Sequence, residues 1–244
     1  MTTTWKHAVA RLPIIGPASL IVYRIKTSLA YYRRMFVGLF RWWFTSNELA
    51  NYTYDLEPTN QRYLAALLTQ VLNVDHFTIE RYINEAFGDT DLKLHISLET
   101  DRSDLSGQAD AEARLGRRLG WYAIARAMKP RVIVETGLDK GLSSCVLTAA
   151  LKRNTAEGHP GRYYGTDINP AAGYLLSGEY SRYGEILCSD SIESLAKFDQ
   201  PIDLFINDSD HSADYEAAKY EMIADKLSNQ AIILGDNATS PISC

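Results

Sequence analysis

The chain has 244 residues, of which 46% are hydrophobic and 23% are charged, fractions that are ordinary for a globular protein. Seven of the 25 basic residues lie in residues 1–47, whereas all 30 acidic residues lie beyond residue 47. The excess of acidic residues beyond residue 47 argues against nucleic acid as a partner. The three cysteines show no metal-ligand spacing. They argue against a disulfide scaffold, so we expect a reducing, cytoplasmic compartment.

Residues 19–44 are predicted to form a basic amphipathic helix, because apolar residues recur there at helical spacing. No run of about 18 apolar residues is present, so a membrane-spanning helix is not predicted. Two uses of the amphipathic helix stay open. The first is packing on the rest of the chain or across a homodimer. The second is a peripheral contact in which the helix lies on an anionic membrane surface.

Two further helices are predicted over residues 59–73 and 75–87, followed by a polar connector over 88–107. We therefore expect an N-terminal helical region over 1–105 and a second domain over 106–244.

The second domain begins with a predicted helix over 109–128 that Pro130 ends. Five short apolar segments then alternate with helix-length segments, namely RVIVETG, RYYGTDI, GEILCSD, IDLFINDSD and AIILGDN. This alternation predicts an α/β, Rossmann-like, doubly wound and mostly parallel sheet of about five strands with an N-terminal helical extension. Right-handed crossovers place the carboxyl ends of the strands at one edge, where ligands bind in such sheets.

The first predicted strand ends in Glu135, Gly137 and Gly141 with the spacing E-x-G-x-x-x-G. Two glycines permit a tight turn and a close approach of the backbone to a ligand at a helix N-terminus. The spacing has one glycine fewer than the dinucleotide-binding fingerprint, which argues against an NAD-dependent oxidoreductase. A plain strand–turn–helix joint is the alternative interpretation.

The next two strands also end in polar residues. Asp167 follows the second strand, and a carboxylate there can accept hydrogen bonds from both hydroxyls of a ribose. Ser189 and Asp190 follow the third strand and could meet an adenine amine. Each of these positions could instead cap the helix that follows.

The fourth and fifth strands end in residues that could bind a metal. Asp208, Asp210 and His211 follow the fourth strand, and Asp236 and Asn237 follow the fifth. Carboxylate and amide oxygens suit Mg²⁺ or another hard divalent cation. Because we expect the two strands to be neighbours, Asp208 should lie beside the Asp236–Asn237 pair. An Asp-Asn turn and a helix-capping His211 are the alternatives.

Residues 108–237 resemble class I S-adenosylmethionine-dependent methyltransferases, and among them the metal-dependent O-methyltransferases of the catechol and caffeoyl-coenzyme A type. The resemblance implies that S-adenosylmethionine is bound by Glu135, Gly137, Gly141, Asp167, Ser189, Asp190 and Asp210. It implies Mg²⁺ ligands at Asp208, Asp236 and Asn237. His211 stands where that family has a lysine that acts as general base, and an imidazole can take a hydroxyl proton near neutral pH.

The resemblance implies methylation of a small hydroxylated or sugar-like acceptor, with catalytic roles for Asp208 and His211. One departure is the C-terminus, because only seven residues follow Asn237 whereas the family continues with a helix and a β-hairpin. We therefore expect that hairpin to be absent. The alternative function is a non-catalytic binding or scaffold protein that keeps the nucleotide-binding fold.

Overall fold

The computed structural model describes residues 15–48 and 54–236, which form two compact units divided between Asn47 and Glu48. The first unit contains one long helix, α1 (Ile15–Thr45), which confirms the helix expected over 19–44. Most of its large apolar side chains are exposed. None of the helices in the described ranges combines the length and hydropathy that crossing a membrane requires.

The second unit opens with three helices, α2 (Pro58–Leu72), α3 (His76–Phe87) and α4 (Thr90–Arg102). The side chain of Asp89 caps α4 by accepting a hydrogen bond from the Leu92 N–H at 2.9 Å. The prediction of a polar connector over 88–107 was therefore wrong. Only Leu92, Ile96 and Thr100 of α4 are buried, a stripe too narrow to stand out in the sequence.

Helix α5 (Arg118–Met128) begins nine residues later than the predicted start at residue 109. Gly116 precedes it with a φ of +49°, a left-handed conformation that interrupts a helix. Lys129, also left-handed, ends α5 just before Pro130, as the sequence predicted.

Five parallel strands form the sheet, in the order β3-β2-β1-β4-β5. They are β1 (Val132–Thr136), β2 (Arg162–Asp167), β3 (Gly184–Cys188), β4 (Ile202–Asn207) and β5 (Leu227–Gly235). The crossovers contain helices α6 (Leu142–Ala156), α7 (Ser191–Lys197) and α8 (Ala213–Ile223). The Rossmann-like prediction is confirmed. The expected absence of a C-terminal hairpin concerns residues 237–244, which lie outside the described residues.

The sheet is buried on both faces. Ile133 of β1 joins a core with α2–α6, whereas its neighbours Val132 and Val134 join a second core with Phe205 and Ile223. This alternation follows the two-residue period of a strand. Helices α2–α4 share the first core with the sheet, and the domain boundary after residue 105 stays a prediction.

Arg126 of α5 connects that helix to α3 and α6. Its side chain is 3% exposed and forms ion pairs with Glu85 of α3 at 2.7 Å and with Glu157, just after α6, at 2.6 Å. It also donates a hydrogen bond to Asn154. A buried cation is tolerated only when it is paired and hydrogen-bonded in this way.

Candidate active site

A single cavity of about 620 Å³ lies at the carboxyl edge of the sheet, and each strand contributes to it a residue at its end or just beyond it. These five residues are Gly137, Asp167, Asp190, Asp208 and Asp236. Since parallel strands end at the same edge, four carboxylates from distant parts of the sequence share one cavity.

Asp208 and Asp236 lie side by side at the tips of β4 and β5, as predicted. The Asp236 N–H donates a hydrogen bond to the Asn207 carbonyl at 2.9 Å, which aligns the two tips. Their side chains are only 17% and 14% exposed. Burial, together with the neighbouring Asp236 carboxylate, raises the pKa of Asp208 to about 7. Two half-buried carboxylates this close are stabilised by a nearby positive charge.

Arg117 supplies positive charge to this pair. One guanidinium nitrogen lies 2.8 Å from Oδ2 of Asp236 and 3.3 Å from Oδ2 of Asp208. Arg117 lies immediately before α5, 91 residues from Asp208 along the chain. The sequence offered no signal for this contact.

His211 lies beside the two acids and is held by a residue that the sequence analysis did not single out. One candidate ligand atom from each of Asp208, His211 and Asp236 lies within 4.8 Å of the others. The Nδ1 of His211 lies 3.0 Å from Oε1 of Glu216 in the first turn of α8. The same Glu216 oxygen accepts a hydrogen bond from the buried amide of Asn207. When Nδ1 carries the proton for Glu216, Nε2 is left as the acceptor nitrogen.

Asp167 and Asp190 also line the cavity, and the carboxylate of each accepts hydrogen bonds from backbone N–H groups. Asp167 accepts hydrogen bonds from the N–H groups of Leu138 at 2.9 Å and Asn169 at 2.8 Å. Asp190 caps α7 and accepts a hydrogen bond from the Tyr215 hydroxyl at 2.7 Å. The Tyr215 hydrogen bond is the main reason why the pKa of Asp190 is lowered.

Residues 134–238 match the sequence model of a family described as a methyltransferase domain. This range covers the sheet except for the first two residues of β1, and it includes the five cavity residues at the strand ends. The chain contains a methyltransferase domain. This match agrees with the predicted methyltransferase family, and the parallel sheet agrees with the predicted Rossmann-like fold. No curated protein sequence matches the chain significantly.

Solved structures of methyltransferases are similar to the chain. An SAH-bound methyltransferase from Podospora anserina is 19% identical over 67% of this chain and 71% of its own, with a TM-score of 0.48. A methyltransferase from Geobacter sulfurreducens is 21% identical over 48% of this chain and 58% of its own, with a TM-score of 0.40. An SAH-bound O-methyltransferase from Bacillus cereus is 18% identical over 72% and 73%, with a TM-score of 0.39.

The two glycines predicted to bind the cofactor allow loops of the methyltransferase domain to contact one another. Gly137 has a φ of +82°, and a Cβ there would lie 2.3 Å from the carbonyl oxygen of Asp208. Gly141 has a φ of +87°, and its Cβ would lie 2.7 Å from the Cα of Gly173. Both positions therefore require glycine to bring the loop after β1 against the loops after β4 and β2.

Three other predicted cofactor-binding residues, Glu135, Ser189 and Asp210, either do not line the cavity or line it only as an exposed residue. Glu135 of β1 is fully buried and accepts a hydrogen bond from the Tyr163 hydroxyl at 2.5 Å, and burial raises its pKa to about 7. The Ser189 hydroxyl lies 2.5 Å from that of Ser194 and does not line the cavity. Asp210 lines the cavity, but it is exposed and accepts a hydrogen bond from the Ser212 N–H at 2.8 Å. Asn237 lies outside the described residues.

Lys219 is a further residue of the methyltransferase domain that the sequence analysis missed. Although it lies on α8, it is fully buried, and it donates hydrogen bonds to the Ser209 hydroxyl at 2.6 Å and to the Asp210 carbonyl at 3.1 Å. Desolvation lowers its pKa. Lys219 therefore holds the segment between Asp208 and His211 in place.

Proposed function

We propose that the chain is an O-methyltransferase that uses Mg²⁺, or another hard divalent cation, and methylates a small hydroxylated or sugar-like acceptor. The observation that supports this most is the half-buried Asp208–Asp236 pair with His211 beside it, in the cavity that also holds Asp167 and Asp190. A methyl-donor site and a hard-cation site therefore share one edge.

The residues of the cavity fit S-adenosylmethionine. Asp167 and Asp190 would accept hydrogen bonds from its ribose and adenine groups, since each carboxylate oxygen has more than one acceptor position. Arg118 also lines the cavity, and its buried Nε has no hydrogen-bond partner among the described residues. A buried unpaired donor is costly, so a carboxylate such as that of the methionine moiety would suit Arg118. Asp210 would face the cofactor from the rim, whereas Glu135 and Ser189 would support the site from behind.

The donors also fit a hard divalent cation. Asp208 and Asp236 offer carboxylate oxygens from adjacent strand tips, and Asn237 would add an amide oxygen. With a cation in place both carboxylates would be ionised, because its charge would offset the burial and the repulsion from Asp236 that raise the pKa of Asp208. The cation would supply charge to hold an acceptor hydroxyl and ease its ionisation.

The protein then needs to orient the acceptor and take its proton. S-adenosylmethionine supplies an activated methyl group, so alignment of the acceptor oxygen is the main demand on the protein. His211 would accept the hydroxyl proton at Nε2, because Glu216 holds Nδ1. Glu216 would then stabilise the charged imidazolium.

Paired binding experiments test this division of roles. Calorimetry should show that Asp208→Ala loses Mn²⁺ binding while S-adenosylhomocysteine binds within a few-fold of wild type. Asp167→Ala should show the reverse pattern. Asp199→Asn, which removes an exposed carboxylate, serves as the matched control and should change neither. Equal loss of both ligands in both variants would contradict the proposal.

Activity measurements test His211. His211→Ala should lower the rate of methyl transfer by about 100-fold, the usual contribution of a general base, with little change in cofactor binding. A screen of hydroxylated acceptors with the wild-type enzyme provides the substrate. If S-adenosylhomocysteine binds but no acceptor is methylated, the non-catalytic binding protein becomes the better interpretation.

We also propose that α1 contacts an anionic membrane surface, in keeping with a cytoplasmic protein. Helix α1 carries five basic residues and no acid, and its exposed side chains include Ile25, Phe40 and Trp43. Basic and aromatic residues on one helix favour the interface of anionic lipids.

Vesicle co-sedimentation of the full chain tests the membrane contact. Wild type should pellet with phosphatidylserine-containing vesicles and not with phosphatidylcholine alone, and replacement of Arg24, Lys26 and Arg33 by Gln should abolish pelleting. If wild type does not pellet but forms a concentration-dependent dimer in ultracentrifugation, α1 is instead a dimer interface.

A further inference from the structure

Arg117 uses the same carboxylate atoms that a divalent cation would use. Its guanidinium contacts Oδ2 of both Asp208 and Asp236, at 3.3 Å and 2.8 Å. Both acids are largely shielded from water, so water screens their charges only weakly. A cation placed between the two carboxylates is therefore strongly attracted to both. A guanidinium and a metal ion cannot both occupy that place.

The Arg117 side chain is placed so that it can move away from the two acids. Its side chain is 41% exposed, which is far more than those of the two acids. It stands just before α5, where the backbone has only begun to form a helix. Its guanidinium also lies 5.5 Å from the ring centre of Trp121, one turn along α5. An exposed arginine beside an aromatic ring can exchange its carboxylate contacts for water and ring contacts at modest cost.

Other charges near the pair do not replace Arg117. Arg118 follows directly and lines the same cavity, but no ion pair between it and either acid is found among the described residues. Lys219 is bonded to Ser209 and to the Asp210 carbonyl. Without Arg117, Asp208 and Asp236 would therefore keep His211 beside them but would have no ion pair with a lysine or arginine in the described part of the chain.

We propose that Arg117 is an internal counter-cation that competes with the divalent cation for Asp208 and Asp236 and so sets the metal affinity of the site. It stabilises the two strand tips when no metal is bound and must swing out when metal binds. This inference depends on the metal site of the proposed function.

Direct metal binding provides the test, with Mn²⁺ as the probe and electron paramagnetic resonance as the readout. Arg117→Met keeps the aliphatic stem and removes the charge, so Mn²⁺ should bind at least about 10-fold more tightly than to wild type. Arg117→Lys keeps a cation and should stay nearer to wild type. Arg62→Met, which removes an exposed arginine of α2, is the matched control and should leave the affinity unchanged.

Thermal stability gives a second readout. Without metal, Arg117→Met should melt at a lower temperature than wild type, because the two acids lose their partner. Saturating Mn²⁺ should remove this difference. If the variant is unfolded without metal, recovery of its circular dichroism at Mn²⁺ concentrations below the wild-type Kd supports the proposal, and a failure to recover overturns it.

The outcomes separate the two proposals. If wild type binds Mn²⁺ and Arg117→Met binds it no more tightly, the competition is refuted and the metal site stands. If neither protein binds Mn²⁺, the metal site of the proposed function is refuted, and the competition is refuted with it.

Discussion

The buried carboxyl of Glu135 makes the stability of the protein depend on pH in a predictable direction. Glu135 is 0% exposed in the middle of the sheet, and burial raises its pKa from 4.5 to about 7. A glutamate in the unfolded chain keeps its ordinary pKa, so the folded state holds the proton more tightly. The stabilisation that protonated Glu135 gives the folded state is therefore fully present below pH 4.5 and is lost as the pH rises towards 7.

The magnitude follows from the size of the shift. A difference between 4.5 and about 7 at about 1.4 kcal/mol per pKa unit corresponds to a loss on the order of 3 kcal/mol across this pH window. Glu135→Gln removes the titration but keeps an oxygen to accept the Tyr163 hydrogen bond. Relative to wild type, the variant should therefore gain about 3 kcal/mol of unfolding free energy between pH 4.5 and 7.5.

Urea denaturation at several pH values between 4.5 and 7.5 measures this difference. Comparing the two proteins at each pH cancels the contribution of Asp208, which titrates in both. Glu185→Gln, which removes an exposed glutamate from neighbouring β3, is the matched control and should show no such trend. A difference between Glu135→Gln and wild type that is constant across the pH range would refute the reasoning.

Three other changes have expected outcomes. Arg126→Met should lower the free energy of unfolding by about 2 kcal/mol, because Glu85 and Glu157 lose their short contacts with Arg126 and keep only contacts of 3.7 Å with Arg153 and Lys129, and a loss below about 1 kcal/mol in urea denaturation would contradict this. Gly141→Ala should destabilise the protein more than Gly158→Ala, since both have a φ near +87° but only the first Cβ meets neighbouring backbone; equal melting temperatures would refute the contact. Tyr215→Phe should raise the pKa of Asp190 towards its ordinary value in a carboxyl NMR titration, and an unchanged titration would show that the Tyr215 hydrogen bond is not formed in solution.

The local elements were predictable because their signals are local. Alternating apolar strands and helix-length segments predicted five parallel strands, and the period of two places Ile133 and Val134 on opposite faces. Where a signal is weak, prediction failed. Helix α4 buries only a narrow stripe, and α5 begins late because Gly116 adopts a left-handed backbone conformation that residue type alone does not specify.

The sequence by itself determined which acids meet at the edge of the sheet. Parallel strands with right-handed crossovers must end together, so Asp167, Asp190, Asp208 and Asp236 converge whatever the details of packing. Only the tertiary structure decided what surrounds them. The contact of Arg117 with Asp208 spans 91 residues, and the burial of Glu135 depends on all the layers packed around β1. Charge pairing and desolvation depend on distances between remote segments, and no local pattern records those distances.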